Sequence, residues 1–338
     1  MTKFFGTMPS GEQASLYTIS CGGITASITD CGAALMALTV PDSMGNLDDV
    51  VLGYECAEDC LKGSSYIGAT VGRSANRIKG SAFSMGGRVY PLTPNEGNNN
   101  LHSGPDAYHL RLWRVVSHRE DSISFLLHSP SGDQGFPGNA DISVTYCLDG
   151  RGGLHITYDA VCDQDTVFNL TNHSYFNLAG HNHPEKAMGQ FLTLPARFFT
   201  PADEESIPTG EMRPVSGTPM DFRTPKPIGQ DMEEDYDALH LQHGYDHNFE
   251  VFCNPCAVLQ DPESGRTMTV STDCPGLQFY AGNFLSDCGK EGVFYGKHSG
   301  VALETQFYPD ALHHPDWAQP VVKAGSRYHS ETVYRFFW

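Results

Sequence analysis

The sequence is poor in charged residues, and basic residues are especially scarce. Charged side chains make up 18 % of the 338 residues, and 21 Lys and Arg oppose 40 Asp and Glu, which gives a net charge of −19. A negative field of this size repels phosphate backbones and anionic lipid headgroups. We therefore expect neither nucleic acid nor a membrane as a partner, and a neutral substrate is favoured over an anionic one.

Long apolar runs and targeting signals are also lacking. The most apolar stretch, residues 33–40, is far shorter than the roughly 20 residues that span a bilayer. No charged start followed by an apolar segment indicates a signal peptide. The ten cysteines are therefore interpreted as free thiols in a reducing compartment, which predicts a cytoplasmic protein.

Several motifs of cofactor and metal chemistry are missing. No GxGxxG, GxxxxGK[ST], GxSxG or HExxH pattern is present, and the CxxC at Cys253–Cys256 has no second pair. His240, His243 and His247 have the spacing of one helix face, but Gly244 interrupts the run. We therefore predict no metal site.

Turn-forming residues, in contrast, are abundant. The 35 Gly and 21 Pro are about one residue in six, against about one in eight in ordinary proteins. Between them lie short segments in which apolar and polar residues alternate, which is typical of strands. These segments are Leu16–Ser20, Ile24–Ile28, Ser122–Leu127, Asp141–Tyr146, Leu154–Val161, Met268–Thr272, Leu277–Tyr280, Val301–Thr305 and Ser330–Trp338.

These patterns predict an all-β protein. Helical signals occur only near Ala57–Leu61 and Met232–Leu241, and no βαβ alternation is present. The sequence therefore favours a large, mostly antiparallel β-sandwich with a few short helices. We expect one domain over residues 1–338, in which the stretch 201–231, rich in Pro, Gly, Thr and Asp, is a long surface excursion.

Two ionisable residues stand out on strand-like segments. Glu304 shares a strand face with Ala302 and Gln306, and a carboxylate on such a face needs partners if the face is covered. His173 lies in a run rich in aromatic and hydrogen-bonding side chains, which suits the lining of a cleft for a hydroxyl-rich ligand. A solvated face for Glu304 and a core position for His173 remain the alternatives.

Six polar segments, in this order, resemble motifs of the aldose 1-epimerase (galactose mutarotase) family. The family patterns are similar to GRxANRI, NxLHGG, NHTYFNL, GYDHNF, PGxQxYxGNF and LETQxxPD. Ser74, Ser103 and Ser174 depart from these patterns, and none of the three removes an ionisable group. The matching segments are Gly72–Ile78, Asn100–Gly104, Asn172–Leu178, Gly244–Phe249, Pro275–Phe284 and Leu303–Asp310.

The resemblance implies a fold, a reaction and a set of site residues. The fold is a large antiparallel β-supersandwich with an open cleft, and the reaction is the interconversion of α and β anomers of free aldohexoses such as galactose and glucose, without a cofactor. His173 and Glu304 would form the catalytic pair, with Glu304 as base and His173 as acid, converging on the anomeric centre from opposite sides. The residues that would bind the sugar are Asn76, Arg77, His102, Tyr175, Asp246 and Gln278.

The sequence is also compatible with other functions. A hexose-6-phosphate 1-epimerase would need more basic residues than the sequence offers, and a glycoside hydrolase would use two carboxylates, such as Asp246 and Glu304. A non-catalytic sugar-binding or regulatory protein would need neither His173 nor Glu304. The expected partner is a free monosaccharide, and the expected assembly is a monomer or a weak dimer.

Overall fold

Antiparallel strands dominate the computed structural model, which describes residues 1–338. The largest sheet has nine strands and contains most of the strands predicted from alternation. Its strands, in spatial order, are Arg114–His118, Ser122–Ser129, Ala140–Leu148, Gly153–Cys162, Arg327–Phe337, Thr267–Thr272, Ala257–Gln260, Phe191–Thr193 and Lys226–Pro227.

Two further sheets and several short strand pairs complete the β-structure. A five-stranded sheet near the N-terminus contains Thr2–Thr7, Gln13–Cys21, Ile24–Thr29, Ala34–Pro41 and Leu47–Asp49. A six-stranded sheet contains, in spatial order, Tyr175–Phe176, Val301–Gln306, Gly276–Tyr280, Asp246–Glu250, Phe198–Thr200 and Arg213–Pro214. The two-stranded pairs are Arg77–Ile78 with Asn100–Leu101, Thr70–Val71 with Thr171–Asn172, Ala82–Met85 with Arg88–Pro91, Thr166–Val167 with Val321–Val322, and Asp287–Cys288 with Phe294–Tyr295.

Helices are few and short, as predicted. The two α-helices span Ala57–Lys62 and Asp237–Gln242, and the short 3-10 helices are Lys79–Ser81, Tyr108–Leu110, Asp133–Gly135, Pro184–Gly189, Lys290–Gly292 and Ala311–His313. None of these helices is long and apolar enough to cross a membrane.

The second α-helix is shorter than its sequence signal. It begins at Asp237, since the preceding acidic stretch forms turns, and it ends at Gln242, after which His243 caps it with a left-handed φ of 56°. Since His247 lies on the strand that follows, the three spaced histidines do not share a helix face.

The side chain of Asp149 sets the register of one hairpin in the nine-stranded sheet. Asp149 accepts hydrogen bonds from the amides of Arg151 and Gly153, and this turn joins Ala140–Leu148 to Gly153–Cys162. Alternate residues of both strands, such as Ile142 and Val144, are then buried on one face. The same period-2 burial continues across the nine-stranded sheet.

Residues from all three larger sheets meet in one apolar core. Ile28 of the five-stranded sheet, Val144 of the nine-stranded sheet and Phe279 of the six-stranded sheet belong to the same packed cluster. The segment 201–231 also contributes to this cluster through Val215, Met220, Phe222 and Ile228, so it is more than a surface excursion. All ten cysteines are free.

Candidate active site

The six-stranded sheet has one apolar and one polar face. Leu277 and Leu303 point into the main core, whereas Glu304 and its cross-strand neighbour Gln278 occupy the opposite face. The strand Val301–Gln306 is buried on both faces, and Glu304 is only 2 % exposed. The polar face is therefore covered, and the alternative of a solvated Glu304 is wrong.

His173 lies between the short strands Thr171–Asn172 and Tyr175–Phe176, and the segment 68–69 holds its backbone. Its amide donates to the carbonyl of Ala69, and its carbonyl accepts from the amide of Gly68, each at 2.9 Å. This places its Nε2 3.6 Å from Glu304 Oε1. The two atoms therefore lie on one side of the cavity and not across it from each other.

His102 and Asn76 fix one another in strained backbone conformations. Their φ angles are 50° and 59°, in the left-handed region that costs side-chain-bearing residues free energy. The Asn76 amide donates to His102 Nδ1 at 3.1 Å, and the His102 amide donates to the Asn76 carbonyl at 3.0 Å. Because Nδ1 is an acceptor, neutral His102 carries its proton on Nε2.

The two arginines of the segment 72–80 have different roles. Arg73 is fully buried and donates to Ser129 and to the carbonyls of Pro137 and Gly138, so it holds loops together. Arg77 instead lines the cavity and forms a two-pronged ion pair with Glu96, at 2.5 and 2.8 Å.

Seven of the eight predicted site residues line one cavity of about 260 Å³. Ligand pockets are more often about 300–1,000 Å³, so this one suits a small ligand. Polar side chains and aromatic rings share its walls. The predicted residues that line it are Asn76, Arg77, His102, His173, Tyr175, Asp246 and Glu304.

Gln278 is the exception, because it lies behind the lining. Its Nε2 donates to Asp246 Oδ1 at 2.6 Å, which orients that carboxylate. Thr200, Asn248, Gln278 and Glu304 form a row across four neighbouring strands, and each has a buried polar atom without a protein partner. Such a row needs water or ligand contacts, since buried polar groups are normally paired.

Burial shifts the pKa values of the ionisable groups in opposite directions. It raises the pKa of Glu304 well above its usual range, and the charge of Asp246 adds to this while Arg77 opposes it. It lowers the pKa of His173 to about 4. Burial, together with the nearby His173 and Arg77, also holds the pKa of His102 well below its usual value.

Several lining residues were not predicted from the sequence. The Tyr66 ring stacks on His173 with 5.8 Å between centroids and also contacts His102 and His109. Leu101, Tyr280 and Phe284 lie within the motif segments, and Glu96 lies four residues before the segment Asn100–Gly104. Ser64, Ser65 and Tyr66 carry no recognisable sequence pattern, although a left-handed φ of 55° marks Tyr66 in the structure.

Comparison with known proteins identifies the family. The sequence profile described as aldose 1-epimerase matches residues 15–335. This chain belongs to the aldose 1-epimerase family. A galactose mutarotase from Sus scrofa is 40 % identical over 341 residues, covering 98 % of this chain and 97 % of that protein. An aldose 1-epimerase from Haemophilus influenzae is 39 % identical over 336 residues, covering 97 % of each protein.

Solved structures of the family have the same fold. A GalM/aldose epimerase homologue from C. elegans superimposes with a TM-score of 0.88 at 34 % identity, covering 96 % of this chain and 99 % of that one. A galactose 1-epimerase from Lactobacillus acidophilus gives a TM-score of 0.86 at 27 % identity, covering 100 % and 98 %. The predicted β-supersandwich and the predicted isomerase family are therefore confirmed.

Proposed function

We propose that this aldose 1-epimerase interconverts the anomers of free aldohexoses such as galactose and glucose, with Glu304 as base and His173 as acid. Glu304 takes the proton of the C1 hydroxyl, and the electron pair forms the C1 carbonyl as the bond from C1 to the ring oxygen breaks. His173 gives a proton to the ring oxygen. After rotation about C1–C2, closure on the other carbonyl face reverses both transfers.

The observation that carries the proposal is the 3.6 Å contact between His173 Nε2 and Glu304 Oε1 inside one small cavity. The oxygen of the C1 hydroxyl and the ring oxygen of a pyranose are both bonded to C1. An acid and a base that act on them must therefore lie within a few ångströms of each other. Holding the sugar against both groups turns a slow solvent-catalysed reaction into an oriented one.

The neighbouring residues have supporting roles in this proposal. His102 offers its Nε2–H as a neutral donor, because the Asn76 amide occupies Nδ1. Asp246, oriented by Gln278, accepts from sugar hydroxyls, and Arg77 donates to them. Tyr175 packs beneath His173, with 5.0 Å between the ring centroids.

Protonation of the pair decides its activity. Burial favours protonated Glu304 and neutral His173, whereas the reaction starts from ionised Glu304 and protonated His173. Both forms carry the same total number of protons, so they belong to one protonation state of the pair, and the pH dependence belongs to the pair and not to either residue alone. Sugar hydroxyls that donate to Glu304 favour the reactive form, because hydrogen bonds stabilise a carboxylate.

Polarimetry tests the proposed activity. The protein should accelerate the change in optical rotation of freshly dissolved α-D-galactose and α-D-glucose over the buffer rate. Binding of galactose in a calorimeter without any acceleration would contradict catalysis and favour a sugar-binding protein.

We also propose that the chain forms a single domain and works in the cytoplasm as a monomer or weak dimer, without nucleic acid. Its ten free cysteines suit a reducing compartment, and its net charge of −19 disfavours phosphate backbones. Sedimentation at micromolar concentration tests the assembly, and a stable tetramer would contradict it.

A further inference from the structure

A third carboxylate faces the cavity beside Asp246 and Glu304. Glu96 pairs with Arg77 through both of its oxygens, with Arg77 Nε and Nη2 as donors. Arg77 is the only Lys or Arg among the residues that line the cavity. The cavity's one permanent cation is thus already engaged by a carboxylate of the same chain.

A tight turn holds Glu96 in this place. Its amide and carbonyl both pair with the backbone of Asn99, at 3.2 and 2.9 Å. The side chain of Asn95 closes the loop through both backbone groups of Leu101. Although Glu96 is 39 % exposed at its side chain, its backbone is fixed, so it is not a freely moving surface residue.

This arrangement has a consequence for charged ligands. A guanidinium binds carboxylates and phosphates through paired N–H groups, and two of those groups in Arg77 already bond Glu96. An incoming anion would also face the negative charges of Glu96 and Asp246. A neutral sugar meets neither penalty, because carboxylates accept hydrogen bonds from its hydroxyls.

We propose that Glu96 is a specificity-determining residue that restricts the site to uncharged aldoses. It excludes aldoses with an anionic exocyclic group, such as a uronate carboxylate or a phosphate. The proposal rests on the sugar-binding function proposed above and adds a substrate class to it.

The test compares affinities for D-glucose and D-glucuronate by calorimetry. The wild-type protein should bind glucuronate at least tenfold more weakly than glucose. Glu96→Gln keeps a side chain that can bond Arg77 but removes the charge, and it should reduce the glucose-to-glucuronate affinity ratio about tenfold. A tenfold change in this ratio is expected when one charge is removed at about 6–8 Å from the anionic group of the ligand in a partly solvated site.

Glu205→Gln is the matched control. Glu205 accepts a hydrogen bond from Asn99 Nδ2 at 3.3 Å in the same region but does not line the cavity. This variant should leave the ratio within about twofold of wild type. An unchanged ratio in Glu96→Gln, or an equal change in Glu205→Gln, would overturn the proposal.

Salt provides a measurement that needs no variant. Raising the ionic strength should strengthen glucuronate binding to the wild-type protein while glucose binding stays constant, because screening weakens the repulsion. Equal salt responses would contradict the proposal. Since affinity is measured without turnover, a failure of selectivity is distinct from a failure of catalysis, which polarimetry detects.

Discussion

At the scale of single residues, His173 and Glu304 are buried beside each other without forming a hydrogen bond. Neither group has a strong ion pair in the structure, since their contact is 3.6 Å, longer than a hydrogen bond. Burial of unpaired ionisable groups costs free energy, and such costs concentrate at functional sites. In the proposed mechanism, this spacing leaves both groups free to bond the oxygens of the sugar.

The pH dependence of the reaction follows from the single proton that the pair must hold. Below a pH of about 4, His173 and Glu304 are both protonated and no base remains. Above the raised pKa of Glu304, the pair has lost its proton and no acid remains. We expect kcat/KM, measured by polarimetry after subtraction of the buffer rate, to be bell-shaped with a plateau between these limits. A rate that rises steadily to pH 10 would contradict the one-proton pair.

Sequence reasoning found the ionisable residues of the site better than their aromatic neighbours. Glu304 could be predicted because a carboxylate interrupts an apolar strand, and His173 because polar residues surround it. Tyr66 gave no such signal, because its contact with His173 comes from a loop about a hundred residues away along the chain. Glu96 gives no sequence signal either, because a carboxylate in a turn is typical of an ordinary surface residue.

At the scale of elements, the six-stranded sheet sets the geometry of the site. Its strand Gly276–Tyr280 lies between those that carry Asp246 and Glu304, so the width of this strand and its pairing register set the spacing of the two carboxylates. Gly276 has a particular role here. A Cβ at this position would lie 2.3 Å from Asn248 Oδ1 and 2.8 Å from the Tyr308 ring.

Replacing this glycine should therefore disturb the sheet. We expect Gly276→Ala to lower the free energy of unfolding by about 1–3 kcal/mol, because neighbours must shift to admit the methyl group. It should also slow turnover by moving Asn248 and the adjacent strand. Urea unfolding and polarimetry measure the two effects.

Gly189→Ala is the control for this change. No atom lies within 4 Å of a Cβ placed at Gly189, so this variant should be as stable as wild type or slightly more stable. If Gly276→Ala matched it in both stability and turnover, the close packing described here would be wrong.

The longer strands could be predicted from sequence, but the two-residue strands could not. Segments such as Asp141–Tyr146 contain enough alternation to be recognised, and the structure extends this one to Ala140–Leu148. Pairs such as Arg77–Ile78 with Asn100–Leu101 contain no periodicity. They form because tertiary contacts bring two loops together, and these pairs hold much of the site.

At the scale of the whole molecule, buried histidines link the fold to pH. His102, His109, His173 and His247 are all kept neutral by burial, which lowers their pKa values in the folded protein. For His109 and His173 the pKa falls to about 4, and for His247 to about 3. The unfolded chain, in contrast, binds these protons near pH 6.5.

The protein should therefore lose stability as the pH falls from about 6.5 to 4. In this range the unfolded state takes up protons that the folded state does not, and each such histidine costs up to about 1.4 kcal/mol per pH unit. The raised pKa values of Asp246 and Glu304 stabilise the folded state as the pH falls, but fewer groups contribute to this effect than to the loss. Calorimetry should give a lower Tm at pH 5 than at pH 7, and an equal or higher Tm at pH 5 would contradict this assignment.

The most direct test of the whole account is the turnover of freshly dissolved α-D-galactose by Glu304→Gln. The amide preserves shape but cannot accept the C1 hydroxyl proton, so the rate above buffer should fall by about 10²–10⁴-fold while calorimetry still detects sugar binding. Glu250→Gln, which removes a carboxylate from another strand of the same sheet, outside the cavity, should keep the wild-type rate. A Glu304→Gln protein that accelerates mutarotation as fast as wild type would contradict the central claim.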